Sequence, residues 1–182
     1  MFDAFQPDKQ KPVEAPYFED ITVSGGWEGM STGKSFDKLK EEIEKALNLL
    51  DAKVTGFVRG TFGKRQGYRV SFILVTPDDQ LRRGLIDIAA LPNKTTYRRN
   101  YGSLQKRQEQ SLKTSLYNIR DILEGMYRLR FLQPGFDPLM QWTLTDQGKT
   151  VGQLWNERIM SDHLLPSGKE EAFIDGEVRE VR

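Results

Sequence analysis

The stretch 52-AKVTGFVRGTFGKRQGYRVSFILVTPDDQLRRGLIDIAAL-91 decides the fold. It holds three runs, "AKVTGFVRGTF", "YRVSFILV" and "LRRGLIDIAAL", in which Val, Ile, Phe and Tyr alternate with polar residues. The links between them, "GKRQG" and "TPDDQ", are five residues each. Links that short join antiparallel neighbours, because a parallel pair needs a crossover of about a dozen residues or more. A three-stranded antiparallel meander follows.

Alternation then assigns the faces of each strand. In the first run Val54, Val58 and Phe62 point inward, leaving Thr55, Phe57, Arg59 and Thr61 outside. In the second, Tyr68, Val70, Phe72 and Leu74 are inside, with Arg69, Ser71 and Ile73 outside. In the third, Ile86, Ile88 and Ala90 suit the core, with Arg83, Leu85 and Asp87 opposite. Phe57, Arg59, Arg69 and Arg83 are therefore expected on one side of the sheet, with Lys64 and Arg65 at the hairpin tip.

Helical periodicity flanks the meander. Upstream, Phe36, Leu39, Ile43, Ala46, Leu47 and Leu50 recur at helical spacing, with Glu41, Glu42, Glu44 and Lys45 on the other side. Downstream, Leu104, Leu112, Ser115, Leu116, Ile119, Leu123 and Met126 mark a long amphipathic helix that stops near Pro134-Gly135. A short strand at 21–23 is expected before the turn "SGGWEGMSTG", and "FDPLMQWTLTDQGKTVGQLWNERIM" adds an extended piece and a short helix. The fold class is α+β: helix, three-stranded meander, long helix and a small C-terminal extension. Residues 1–18 read as disordered or loosely packed, 19–160 as one domain, and 161–182 as an acidic, disordered tail.

Composition bounds the function. The 182 residues suit one domain, and there is no apolar run near 18 residues, so no membrane span is expected. The first residues lack a basic region followed by an apolar stretch, and there are no cysteines, so a cytoplasmic protein without disulfides or thiolate metal sites is expected. Net charge is +1, yet residues 53–130 hold 16 basic and 6 acidic side chains, a local excess of +10. An excess of that size attracts polyanions or an acidic segment of protein.

"GMSTGKS", residues 29–35, looks at first like a phosphate-binding loop. That loop needs four residues between its glycines so that successive N–H groups wrap the phosphates, whereas Gly29 and Gly33 are separated by three, and Glu28 stands where glycine is needed. The motif also belongs between a parallel strand and its crossover helix, not ahead of a meander. Gly33 is read as turning the chain while Thr32 or Ser35 caps a helix. A metal-dependent nuclease is the other enzymatic alternative, from the Pro-Asp pair of "TPDD" and Asp87 on the next strand. The lysine two residues after the strand acid is missing, Asp87 being followed by Ile88 and Ala89. Pro-Asp-Asp is moreover an ordinary turn sequence, and Asp87 is placed to pair with Arg69 or Arg83. His163 is the sole histidine, and no Gly-x-Ser-x-Gly elbow occurs. No cofactor, metal or catalytic residue is assigned.

The basic, aromatic-interleaved middle carries the functional expectation. Candidate contacts are Phe57, Arg59, Lys64, Arg65, Arg69 and Arg83 on sheet and hairpin, and Tyr97, Arg98 and Arg99 in the loop "PNKTTYRRNYG". On the long helix Lys106, Lys113 and Arg120 are spaced seven apart, with Tyr117 on the same stripe. Such a surface offers cations to phosphates and rings to bases. The element order is similar to that of double-stranded RNA-binding domains and, more loosely, of strand-annealing proteins. Gly102-Ser103 followed by Lys106 and Arg107 resembles the basic helix start of the former. The Gly-Pro-x-His loop of those domains is replaced by Gly63-Lys64-Arg65-Gln66-Gly67, and their alanine-rich helix by Ser111, Thr114 and Ser115. The likeness lies in topology over 35–130, and no family is assigned from it.

The expected function is thus non-catalytic nucleic-acid binding, with a single-stranded substrate slightly favoured. The alternative is a protein-interaction or assembly module. There the basic middle pairs with the acidic tail of a neighbour in a homo-oligomer, and Phe136, Trp142 and Trp155 help form the interface.

Overall fold

The structure, a computed structural model, describes residues 14–75, 79–96 and 102–160. Helix α1 spans Phe36–Leu49, strands β1, β2 and β3 span Ala52–Phe62, Arg65–Val75 and Leu81–Ala89, and helix α2 runs over Leu104–Leu132. A short helix α3, Val151–Met160, follows a single 3-10 turn at Met140–Trp142. The sheet is antiparallel in the order β1-β2-β3. Helix, meander, long helix and C-terminal extension stand as the sequence analysis has them.

Each boundary has a local cause. Ser35 opens α1 by accepting from the Lys38 amide at 3.2 Å, so it is the cap among the two candidates. Lys34, the supposed phosphate-loop lysine, donates instead to both Glu42 oxygens at 2.7 and 2.8 Å. Ser103 caps α2 in the same way, through the Lys106 amide. No strand forms at 21–23: Phe18–Asp20 and Val23–Gly25 are 3-10 turns, the second closed by Thr22 accepting from the Gly25 amide. Isolated from any sheet neighbour, that apolar pair has no ladder to join, and Ile21 is buried in a small cluster with Phe18 and Leu91.

Both long helices cover one face of the sheet. Leu39, Ile43 and Leu47 of α1 and Leu112, Leu116 and Leu123 of α2 pack on Tyr68, Val70, Phe72, Ile86 and Ile88. Gly84, opposite Phe72, lets the ring fill its place, since a Cβ there would lie 2.1 Å from Phe72 Cζ. Gly84→Ala is accordingly expected to cost about 1–3 kcal/mol by overpacking, read as a lower urea midpoint at unchanged slope. The polar residues Gln110, Thr114 and Asn118, one helical turn apart on α2, receive the segment 28–32. Asn118 binds both backbone groups of Glu28, at 3.3 and 2.9 Å, and Thr114 donates to the Gly29 carbonyl. Gly29 has φ +70° and a Cβ there would meet the Tyr117 ring at 2.4 Å, so only glycine fits beneath that side chain.

The register of β1 overturns one expectation. Val54 pairs with Phe72 but Gly56 with Ser71, so Thr55 is an extra residue and a β-bulge shifts every later side chain by one. Phe57 and Arg59 stand opposite Val70 and Tyr68 and so face the helices, whereas Val58, opposite Arg69, faces away. Val58 is 62% exposed rather than core, and Phe62 lies over Gly67 on the open face. Phe57 and Arg59 therefore do not share a side with Arg69 and Arg83.

Beyond α2 the chain returns to the far edge of β3. Thr143 bridges Gly84, and the Leu144 amide donates to the Arg83 carbonyl at 2.7 Å. Among the described residues no helix is long and apolar enough to cross a membrane. The assignments made for 1–13 and 161–182, including His163, lie outside the described residues.

Candidate functional site

Three segments meet at the tip of the β1–β2 hairpin. Lys64, Arg65 and Gln66 come from the turn and the start of β2. Residues 90–95 run alongside, the Ala90 amide donating to the Gln66 carbonyl at 2.7 Å. Leu104 and Gln108 project from the first turns of α2. Together they enclose a cleft of about 480 Å³ whose described lining holds two cations and no carboxylate.

The strap 90–95 is fixed from behind by a buried ion pair. Glu19 is fully buried at its side chain and Arg107 is 7% exposed, and the guanidinium donates to Glu19 Oε1. Arg107 also donates to the Lys94 carbonyl at 3.0 Å, while the Lys94 amide and Asn93 Nδ2 donate to Glu19 at 3.0 and 3.3 Å. Ser111 Oγ donates to the Leu91 carbonyl and the Phe18 amide to that of Pro92, each at 2.8 Å. Burial pushes the Glu19 carboxyl up, but the Lys94 amide, Arg107 and Asn93 outweigh it and hold the group below its ordinary range.

Arg59 joins this region from β1. Its guanidinium donates to Gln66 Oε1 at 2.8 Å and lies 5.8 Å from the centre of the Phe36 ring. Lys113 of α2 approaches the same ring at 5.4 Å. Lys40 lies 5.1 Å from the Tyr68 ring, which is itself 6.2 Å from that of Phe36. Cations from β1, α1 and α2 thus surround two adjoining rings, at distances where ring quadrupole and charge attract. Among the described residues Arg59, Lys64, Arg65, Lys106 and Lys113 form no ion pair. Glu109, exposed between Lys106 and Lys113 on α2, is the acid within that stripe.

The remaining candidates are placed otherwise. Arg69 is bound in bidentate fashion by Asp87, at 2.7 and 2.8 Å, which raises its pKa above the ordinary arginine range. Arg83 is exposed on the helix-free face beside Ser71 and Leu85, away from the cleft. Arg120 is only 14% exposed and is engaged by Glu42, Asp121 and Glu124. Tyr117 is half-buried over Gly29, with the Arg120 guanidinium 4.1 Å from its ring. Phe57 is half-buried against the core. Tyr97, Arg98 and Arg99 lie outside the described residues. Because Arg69 and Asp87 are an exposed pair, Arg69→Ala is expected to change stability by less than about 1 kcal/mol. The same variant should hold an oligonucleotide within about twofold of the parent chain, measured by anisotropy.

The sequence reading missed Lys40, Gln66 and Gln108 and took Phe36 and Leu104 as core alone. The available signal was capping: Ser35 and Ser103 put Phe36 and Leu104 in the first turn of their helices, where a side chain reaches the rim of the core. No protein-family model matches the chain, and neither a curated protein nor a solved structure does.

Proposed function

We infer that this chain binds nucleic acid, without performing chemistry on it, through the hairpin tip, the Phe36–Tyr68 rings and the first half of α2. One observation carries the reading: Arg59, Lys64, Arg65 and Lys113, drawn from the hairpin and α2, gather around one cleft and one ring pair with no carboxylate of their own. A compact cationic surface next to apolar and aromatic side chains suits phosphates and unstacked bases together, which favours single strands over duplex.

Labelled single-stranded DNA, duplex DNA and RNA, titrated by fluorescence anisotropy, test it. Affinity is expected to fall steeply with salt. Four or five neutralised phosphates give a log–log slope of roughly −3 to −3.5 on a single strand. No anisotropy change with any of the three at low salt sinks the reading.

A protein-interaction role is the second reading, and a separate end of the molecule supports it. Phe131, Leu132, Met140 and Trp155 are 68, 78, 56 and 57% exposed. Met140 and Trp155 line one groove with Met126 and Phe136, and exposed apolar side chains so grouped are the usual composition of a contact surface. Trp142 packs on the main core instead and is not part of it. Light scattering across a concentration series distinguishes an oligomer held there from a monomer.

A further inference from the structure

Resting on the nucleic-acid reading, we propose that the hairpin-tip cleft admits one extruded nucleobase of a single strand, its flanking phosphates held by Lys64 and Arg65. The cleft divides chemically. The hairpin contributes the cations Lys64 and Arg65, while the strap and α2 contribute the apolar Leu91, Pro92 and Leu104. At about 480 Å³ it falls within the roughly 300–1,000 Å³ common for small-molecule sites, too large for a phosphate alone.

Amides stand where a base edge would be read. The Gln108 side chain makes no hydrogen bond among the described residues, so its carbonyl oxygen and its NH2 are both open to a ligand. Asn93 spends its NH2 on Glu19 and retains a carbonyl oxygen. An amide offers donor and acceptor side by side, the pattern that pairs with a nucleobase edge. The described lining holds no aromatic residue, so the base is held by aliphatic contact and not by ring stacking. A duplex would first have to unstack and unpair that base, which is the physical origin of single-strand preference here.

The walls are built before ligand arrives. Leu91 is anchored by Ser111 and Pro92 by Phe18, while Leu104 occupies the first position of a capped helix. Little ordering remains to oppose binding.

The test compares the full chain's affinity for a labelled 12-nucleotide DNA strand with that for the same strand carrying abasic residues throughout. The intact strand is expected to bind about tenfold tighter, roughly the gain from burying 50–60 Å² of a base's apolar surface against the cleft. Leu104→Ala, at an exposed first-turn position, should erase most of that difference. Gln108→Ala should alter preference among homopolymer strands. Equal affinity for intact and abasic strands overturns the base-binding cleft and leaves the nucleic-acid reading intact. A base-dependent affinity indifferent to Leu104→Ala also overturns it, by putting the base elsewhere. Failure of both strands to bind removes the reading beneath it as well.

Discussion

Reversing both charges at the hairpin tip, Lys64→Glu with Arg65→Glu, is expected to weaken single-strand binding roughly 100-fold at low salt. Two phosphate contacts are lost and two repulsive charges replace them, so the salt slope should become shallower by about 1.4. Lys64 is in the turn and exposed, Arg65 is half-exposed, and neither has an ion-pair partner among the described residues. The fold should be indifferent, and an unchanged urea midpoint is the control. Charge reversal at Arg69 and Arg83, on the helix-free face, supplies the contrast. A double variant that binds as tightly as the parent chain would end the assignment of this cleft.

Glu19→Ala should cost about 3–5 kcal/mol, because it leaves the Arg107 guanidinium buried without its carboxylate. Against a typical stability of about 5–15 kcal/mol, that is a large share. Urea denaturation measures it. Replacing both partners, Glu19→Leu with Arg107→Met, should recover most of the loss, since neither charge then has to be desolvated. The pH dependence has a definite sign. The folded-state carboxyl is depressed, so the stability it contributes is fully present above the ordinary unfolded value of about 4.3 and is lost as pH falls through the lower folded value. The parent chain should therefore lose stability in acid faster than Glu19→Ala does. Oligonucleotide affinity is also expected to fall in Glu19→Ala, because the strap wall loses its anchor.

Element order was legible because each element advertises its own period: Leu39, Ile43 and Leu47 along α1, Tyr68, Val70 and Phe72 along β2. Strands β2 and β3 face as alternation requires. Strand β1 does not, because alternation counts residues while a ladder counts hydrogen-bonded pairs, and Thr55 is one residue without a counterpart. Its two neighbours, Val54 and Gly56, give no local sign of the bulge beyond the glycine itself. The site was legible only as charge. Which cations remain unpaired depended on long-range partners: Asp87 for Arg69, and Glu42 for Arg120 across 78 residues. The importance of Glu19 was invisible, since a glutamate in a Pro-rich, polar leader carries no pattern. Its burial follows from Phe18 and Ile21 closing over Leu91, a packing that no periodic signal announces.

The Glu19 anchorage also bears on the order of assembly. The β1–β2 hairpin is made of neighbours in the chain and can form early, but Glu19 reaches Lys94 and Arg107 across 75 and 88 residues. Closing spans of that length costs entropy that local contacts do not, so they are expected to form after the sheet and helices have condensed. The cleft wall would then be a late product of folding, and a newly made chain would acquire its sheet well before it acquires its binding surface.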